Sequence, residues 1–205
     1  DGPQPALSPG GDWQPEVAAA LDDALSSGRV WFPMHQSMGN TLEDAVEQYL
    51  AEDNYQLANR WYSPSTRLTG WAAPQAAAAD APAIAASAVF EDGARVAVRT
   101  VRPALSANND MLPVTLSFSG LEGQHLASLR LVSADGRIWA QRDVTVDQNF
   151  AQQVGLLAPS GMPAGSYDLR LSLAHPDSAR HMALVEPAGA GSELSLGPIE
   201  VQAPT

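Results

Sequence analysis

The sequence contains no cysteine and no lysine; all eleven basic residues are arginine. Without thiols there is no disulfide scaffold, thiolate metal site, cysteine nucleophile or redox switch. Without an amine side chain, Schiff-base chemistry and a phosphate-loop lysine drop out as well. Positive charge is scarce: 23 acidic residues bring the formal net charge to -12. A field of that sign repels phosphate backbones and anionic headgroups, so nucleic acid is not an expected partner. No apolar run approaches the ~18–20 residues of a membrane-spanning helix, and the opening DGPQPALSPGGDW has neither a basic n-region nor an apolar h-region.

What is present is a 205-residue chain, 45% hydrophobic and 17% charged, which is the composition of a folded protein with one large or two small domains. The stretch AAPQAAAADAPAIAASA over 72–88 carries prolines and no helical period, so it is expected to be a linker or an extended crossing segment. A boundary near residue 80 also divides the charge. Eleven acids face three arginines before it, and twelve face eight beyond it.

In the first part, Val17, Leu21, Ala24 and Leu25 fall on one helical face, with Asp12 as the expected cap and Gly28 as the stop. RVWFPM over 29–34 has the character of a short buried strand. Thr41-x-x-Asp44 resembles a capping box ahead of a second helix, whose apolar stripe is Leu42, Ala45, Val46, Tyr49 and Leu50. Strands follow at 55–62 and 66–71 around the turn Ser63-Pro64-Ser65. This order suggests a small α/β layer, a remnant of a doubly wound unit.

Beyond the boundary the period drops from about 3.6 to 2. Strands are expected at 95–101, 114–118 with Leu112, 128–132, 138–146, 153–157, 167–173 and 194–201, separated by Gly, Pro, Asp and Asn turns. That spacing is the signature of an antiparallel sandwich. Its interior should hold Phe118, Leu129, Leu131, Trp139, Leu169 and Leu171, with Tyr167 at a corner. The expected class is α+β: a small α/β module over 1–80 with a linker to about 87, then an antiparallel Ig-like β-sandwich over 88–205.

Several segments carry a family resemblance. They are Phe90-x-Asp92-Gly93-x-Arg95, Leu129-x-Leu131-x-x-x-Asp135-Gly136-Arg137, Met162-Pro163-Ala164-Gly165-Ser166-Tyr167-x-Leu169-Arg170 and Leu196-Gly197-Pro198-Ile199-x-Val201. In this order, over roughly 87–202, they resemble the β-sandwich appended to bacterial integral-membrane glycosyltransferases similar to dolichyl-phosphate-mannose protein mannosyltransferases. Gly28-Arg29-Val30-Trp31-Phe32-Pro33, Val46-x-x-Tyr49-Leu50 and Tyr55 followed by Trp61-Tyr62 are similar to the segment after the last transmembrane helix of such enzymes. The resemblance implies an extracytoplasmic domain tethered to a membrane, with the transmembrane domain of its own full-length chain as a partner. Glycosyl transfer in that family resembles the work of acidic residues in loops between transmembrane helices, so no catalytic residue carries over and this chain by itself is not expected to be an enzyme. A glycan or a polyprenyl-phosphate-linked sugar is the implied ligand. The alternative is a free-standing secreted interaction or adhesion module.

Eight of the thirteen aromatics lie in the first eighty residues. Sugars stack on exposed rings with hydrogen bonds at the rim, and alternation puts Trp61 and Tyr62 on opposite faces of a strand. Trp61, Tyr62 and Trp71, with the nearby guanidiniums of Arg60 and Arg67, are therefore the candidate ligand-binding residues. Trp31 and Tyr49 are assigned to the core. His175 and His181 flank Asp177 across a loop, but two histidines and one acid at that spacing fall short of a closed zinc site. The turns Asn108-Asn109-Asp110 and Asp147-Gln148-Asn149 lack the spaced acids of a calcium loop. Ser37 in HQSMG has His35 nearby but no second histidine as base, and Asp22/Asp23, Glu43/Asp44 and Glu52/Asp53 point to different helix faces. No metal, cofactor or catalytic group is expected.

Overall fold

The computed structural model describes residues 13–35, 41–74, 83–100, 104–107, 110–147, 151–177 and 180–203. Asp12, Ser37, the centre of the alanine-rich stretch, Asn108-Asn109 and Gln148-Asn149 lie outside them, as do the side chains of Thr41 and Leu42. The chain divides into two compact units, 1–75 and 76–205.

The first unit begins with helix α1 (Pro15–Ser27), in which Pro15 takes the first helical position, where its missing N–H leaves no bond unmade. Gln14 occupies the cap without a side-chain bond. The chain then runs through β1 (Arg29–His35), α2 (Thr41–Asp53), β2 (Tyr55–Ser63) and β3 (Thr66–Ala72). The strands are ordered β1-β3-β2, and both pairings are antiparallel. The unit is thus a helix-backed hairpin sheet, and the expected remnant of a doubly wound parallel unit is corrected. Two-residue turns suffice for antiparallel neighbours, whereas parallel ones need a crossover, and Pro64-Ser65 is too short to be one. Leu21, Leu25, Val46, Leu50 and Trp71 are buried together, with Val17, Val30, Phe32 and Tyr49 packed around them. Tyr49 Oη donates to Asp22 Oδ1 at 2.8 Å, tying α2 to α1.

The second unit is almost entirely β. Its strands are β4 (Ile84–Phe90), β5 (Arg95–Thr100), β6 (Ala104–Ser106), β7 (Met111–Ser119), β8 (His125–Val132), β9 (Ile138–Val146), β10 (Ala151–Leu157), β11 (Gly165–Ala174), β12 (Leu184–Glu186) and β13 (Leu194–Gln202). One sheet carries the order β10-β7-β5-β4-β12 and the other β6-β13-β11-β8-β9. Among the described residues every pairing within this unit is antiparallel except the short parallel contact of β6 with β13. β4 starts inside the stretch expected to be linker. β6 and β12, three residues each, are strands that the sequence pattern does not announce.

Inward residues of both sheets form one core, the sandwich-like arrangement that period-2 patterning predicts. Phe118, Leu129, Leu131, Leu169 and Leu171 are buried in it. Trp139 is only half-buried. Its ring meets Tyr167 edge-on at 6.4 Å, and the Arg137 guanidinium lies 3.9 Å from its centroid. Tyr167 sits at the corner as expected, with Oη donating to the Pro163 carbonyl at 2.8 Å.

The β8–β9 turn runs through Asp135-Gly136, where Gly136 adopts a φ of 83° that side chains disfavour. The Ser133 hydroxyl and the Arg137 N–H donate to the Asp135 carboxylate and hold its pKa below the ordinary value. On the outer face of the second sheet Arg130 and Arg170 stand directly opposite each other. Glu193 accepts from both, and Asp168 accepts from Arg170 and Ser195. Along β9, Asp143 accepts from Ser128 at 2.6 Å and from Gln141.

Candidate functional site

The residues that the sequence singles out lie on β2 and β3, and their placement follows from register. Opposed residues of an antiparallel pair share a face. Trp71 stands opposite Val30 on the face that the helices cover. It is 3% exposed and belongs to the core, which removes it from the binding set. Trp61 stands opposite Arg67, and Arg67 opposite Met34, at the rim of that same face. Arg60 pairs with Leu68 on the other, helix-free face.

A register shift between Trp61 and Ser63 leaves Tyr62 without an opposed partner. Such a bulge re-aims side chains and breaks the regular ladder. Trp61 is 52% and Tyr62 61% exposed, and each ring is accompanied by a guanidinium. Arg67 lies 5.4 Å from the Trp61 centroid and Arg60 5.2 Å from that of Tyr62, both within the range of cation–π attraction. Arg67 is anchored, since it forms an ion pair with Glu47 on α2 and donates to Met34 Sδ at 3.0 Å. The structure therefore brings four of the five expected residues into two ring–arginine pairs, one on each face of the β2–β3 hairpin end.

Trp31 lies on the open face, the face of Arg60, which corrects its assignment to the core. It is 46% exposed and stands opposite Gly70. Its ring lies so close over that glycine that a β-carbon there would come within 2.6 Å of Cζ3. The signal was present in the sequence: Val30, Phe32 and Met34 share one parity in RVWFPM, and Trp31 has the other. Reading the segment as one buried run hid it.

Two grooves in the sandwich unit offer less for a sugar. They are shallow, of about 590 and 580 Å³, and run over the outer face of β4, β5 and β7, lined by Ser87, Ala97, Ser117 and the flanking Arg95 and Arg99. The only aromatic lining either is Phe118, which is buried in the core, so neither presents a stacking platform.

A second constellation lies in the sandwich unit. His125 opens β8 and is fully buried. Its Nδ1 lies 3.1 Å from the Gly123 carbonyl and its Nε2 2.9 Å from Asp92 Oδ2. The His175 ring, just past β11, is 4.8 Å from the His125 ring at 37°. Metal-donor atoms of Asp92, His125 and His175 all fall within 4.8 Å of one another. His175 thus clusters with residues far away in sequence; among the described residues His181 and Asp177 are not in this group. Periodicity does not find such a set, because its members belong to a turn, the start of a strand and the end of another that are far apart in sequence.

The chain matches no family model, and no curated protein is significantly similar to it. Among the described residues, no helix is long and apolar enough to cross a membrane.

Proposed function

We propose that this chain is a non-catalytic, extracytoplasmic recognition domain of a membrane glycosyltransferase-like protein. Its second unit is an Ig-like sandwich, and its first unit contacts carbohydrate or a lipid-linked sugar through Trp61, Tyr62 and Trp31. The observation that supports this reading most directly is the pairing of two solvent-facing rings with two guanidiniums. A flat ring stacks on the apolar face of a pyranose, and a guanidinium supplies a rigid donor fork to hydroxyl or phosphate oxygens. Arg67 shares its charge with Glu47, so in a chain of net charge -12 it is Arg60, beside Tyr62, that offers a sugar phosphate local positive charge.

The test is a titration of oligosaccharides and of a polyprenyl-phosphate analogue against wild type, Trp61→Ala, Tyr62→Ala and Trp31→Ala. Loss of a stacking ring should weaken binding by about 1–1.5 kcal/mol, roughly five- to tenfold, with the circular dichroism spectrum unchanged. No binding by wild type, or equal binding by all four proteins, would refute the reading. Trp71→Ala, by contrast, should unfold the first unit, because it empties a core position.

A further inference from the structure

We infer that Asp92, His125 and His175 form a binding site for one divalent transition-metal ion, of the zinc type, which clamps the two sheets of the sandwich together at one end.

The argument begins with hydrogen-bond polarity. The Gly123 carbonyl can only accept, so His125 Nδ1 carries the hydrogen of that contact. Nε2 faces a carboxylate oxygen 2.9 Å away, and beside an acceptor-only carboxylate the contact is held either by a second ring proton, as an ion pair, or by a metal cation. In the proposed site a metal ion takes the place of that second proton, with the Nε2 lone pair and the carboxylate oxygen both directed at it. A ring whose far nitrogen donates to a backbone carbonyl is also the usual arrangement of a metal-ligating histidine, since that bond fixes the tautomer and orients the free nitrogen.

His175 supplies the third donor. Ligands held ~2.0–2.1 Å from zinc on a tetrahedron stand about 3.3 Å apart. The donor atoms lie within 4.8 Å of one another, with His125 Nε2 and Asp92 Oδ2 at 2.9 Å, distances close to that spacing. Two imidazoles and one carboxylate suit Zn²⁺, Ni²⁺ or Cu²⁺ and not Mg²⁺ or Ca²⁺, which prefer all-oxygen shells. Three protein donors leave a fourth position for water.

The backbone around the site is already braced. Asp92 Oδ1 accepts from the Ala94 N–H at 2.9 Å, leaving Oδ2 for the metal. The Glu91 N–H donates to the Ala183 carbonyl at 3.0 Å, and Arg180 forms an ion pair with Glu91. These bonds fasten the β4–β5 turn to the segment that follows His175. Asp92 belongs to a turn of one sheet, while His125 and His175 adjoin β8 and β11 of the other. A bound ion therefore crosslinks the layers.

The experiment uses the full untagged chain, stripped with chelator and titrated calorimetrically with Zn²⁺, with Mg²⁺ and Ca²⁺ as parallel arms. Thermal melts and the visible absorption of the Co²⁺ form provide independent readouts. The expected result is one Zn²⁺ per chain, a higher Tm with zinc, and no uptake of Mg²⁺ or Ca²⁺ at the site. His175→Ala, which removes a loop side chain, should weaken zinc binding by at least about tenfold, since even outer-sphere losses cost ~10–100-fold. Asp92→Asn, which keeps an oxygen for the Ala94 N–H, should do the same. His181→Ala should bind as wild type does. Absence of stoichiometric zinc, equal affinity in His175→Ala and wild type, or an affinity loss in His181→Ala would each overturn the proposal. In the first case the His125–Asp92 contact is a buried hydrogen bond and nothing more.

Discussion

A chain without cysteine or lysine has little left to titrate between about pH 8.5 and 12 except its tyrosines. Two of these are held above the ordinary 10.0: Tyr167 chiefly by burial, and Tyr49 chiefly by its bond to the Asp22 carboxylate. A phenol with a raised folded-state pKa grips its proton more tightly folded than unfolded. Its contribution is fully present below about pH 10 and is lost as pH rises through the folded value. Stability should therefore fall on the alkaline side through tyrosine ionisation. Tyr167→Phe removes the donor to the Pro163 carbonyl and should cost about 1 kcal/mol at neutral pH, while making the alkaline decline shallower. Urea midpoints at neutral pH and about pH 10.5 test both statements; an alkaline slope identical to wild type would assign the decline to Tyr49 instead.

The tryptophans show, at the same scale, what can be read from sequence and what cannot. Trp61 and Tyr62 are adjacent on a strand, and alternation alone requires them to part. Trp71 follows Gly70 in a strand whose inward parity depends on which face the helices cover. That is a tertiary fact, and the sequence pattern does not contain it. Trp31 differs, because the parity of Val30, Phe32 and Met34 in RVWFPM already sets it on the other face. The ring–arginine pairs were legible as neighbours in the chain, whereas the bulge that exposes Tyr62 was not, because it depends on the register against β3.

Among the elements, the long strands are visible wherever large and small or apolar and polar residues alternate, as in β5, β9 and β11. β4 escaped because its inward positions, Ile84, Ala86, Ala88 and Phe90, alternate with Ala85, Ser87 and Val89. Alanine on both faces erases the contrast on which a period-2 reading depends. β6 and β12 are too short to show any period. In the first unit, α1 and α2 were legible from their apolar stripes, while the antiparallel order of the strands depended on the hairpin turn.

The Trp31–Gly70 contact makes a prediction at this level. Gly70→Ala forces the indole off β3, because the new β-carbon would sit 2.6 Å from its edge. The single variant should lose about 1 kcal/mol, in the ordinary range for overpacking. In a Trp31→Ala background the same change should be stabilising by about 0.5–1 kcal/mol, since alanine costs a strand less entropy than glycine does. A double-mutant cycle on chemical denaturation measures that change of sign. Additive effects would mean that the ring does not rest on the glycine.

For the molecule as a whole, stability rests on the sandwich core and solubility on charge. Leu171 is fully buried on β11, which is flanked on both sides in its sheet. Leu171→Ala should cost about 2–5 kcal/mol, a large share of the ~5–15 kcal/mol by which domains are normally stable. The urea midpoint should drop with the m-value unchanged. The net charge of -12 predicts that heparin and duplex DNA produce no binding signal at about 0.15 M ionic strength. Saturable binding of either would show that the arginine pairs outweigh the global field.

The strands at three sheet margins bear on behaviour in a crowd. β6 and β12 offer only three residues each, and β9 carries Gln141, Arg142 and Asp143 along its run, with Asp143 bonded back to Ser128. Short or charged margins give a neighbouring copy no template on which to add a strand. At these three margins of the sandwich unit a copy brought against another by crowding finds no ready place to add a strand, even though the interior between them is rich in β-forming sequence.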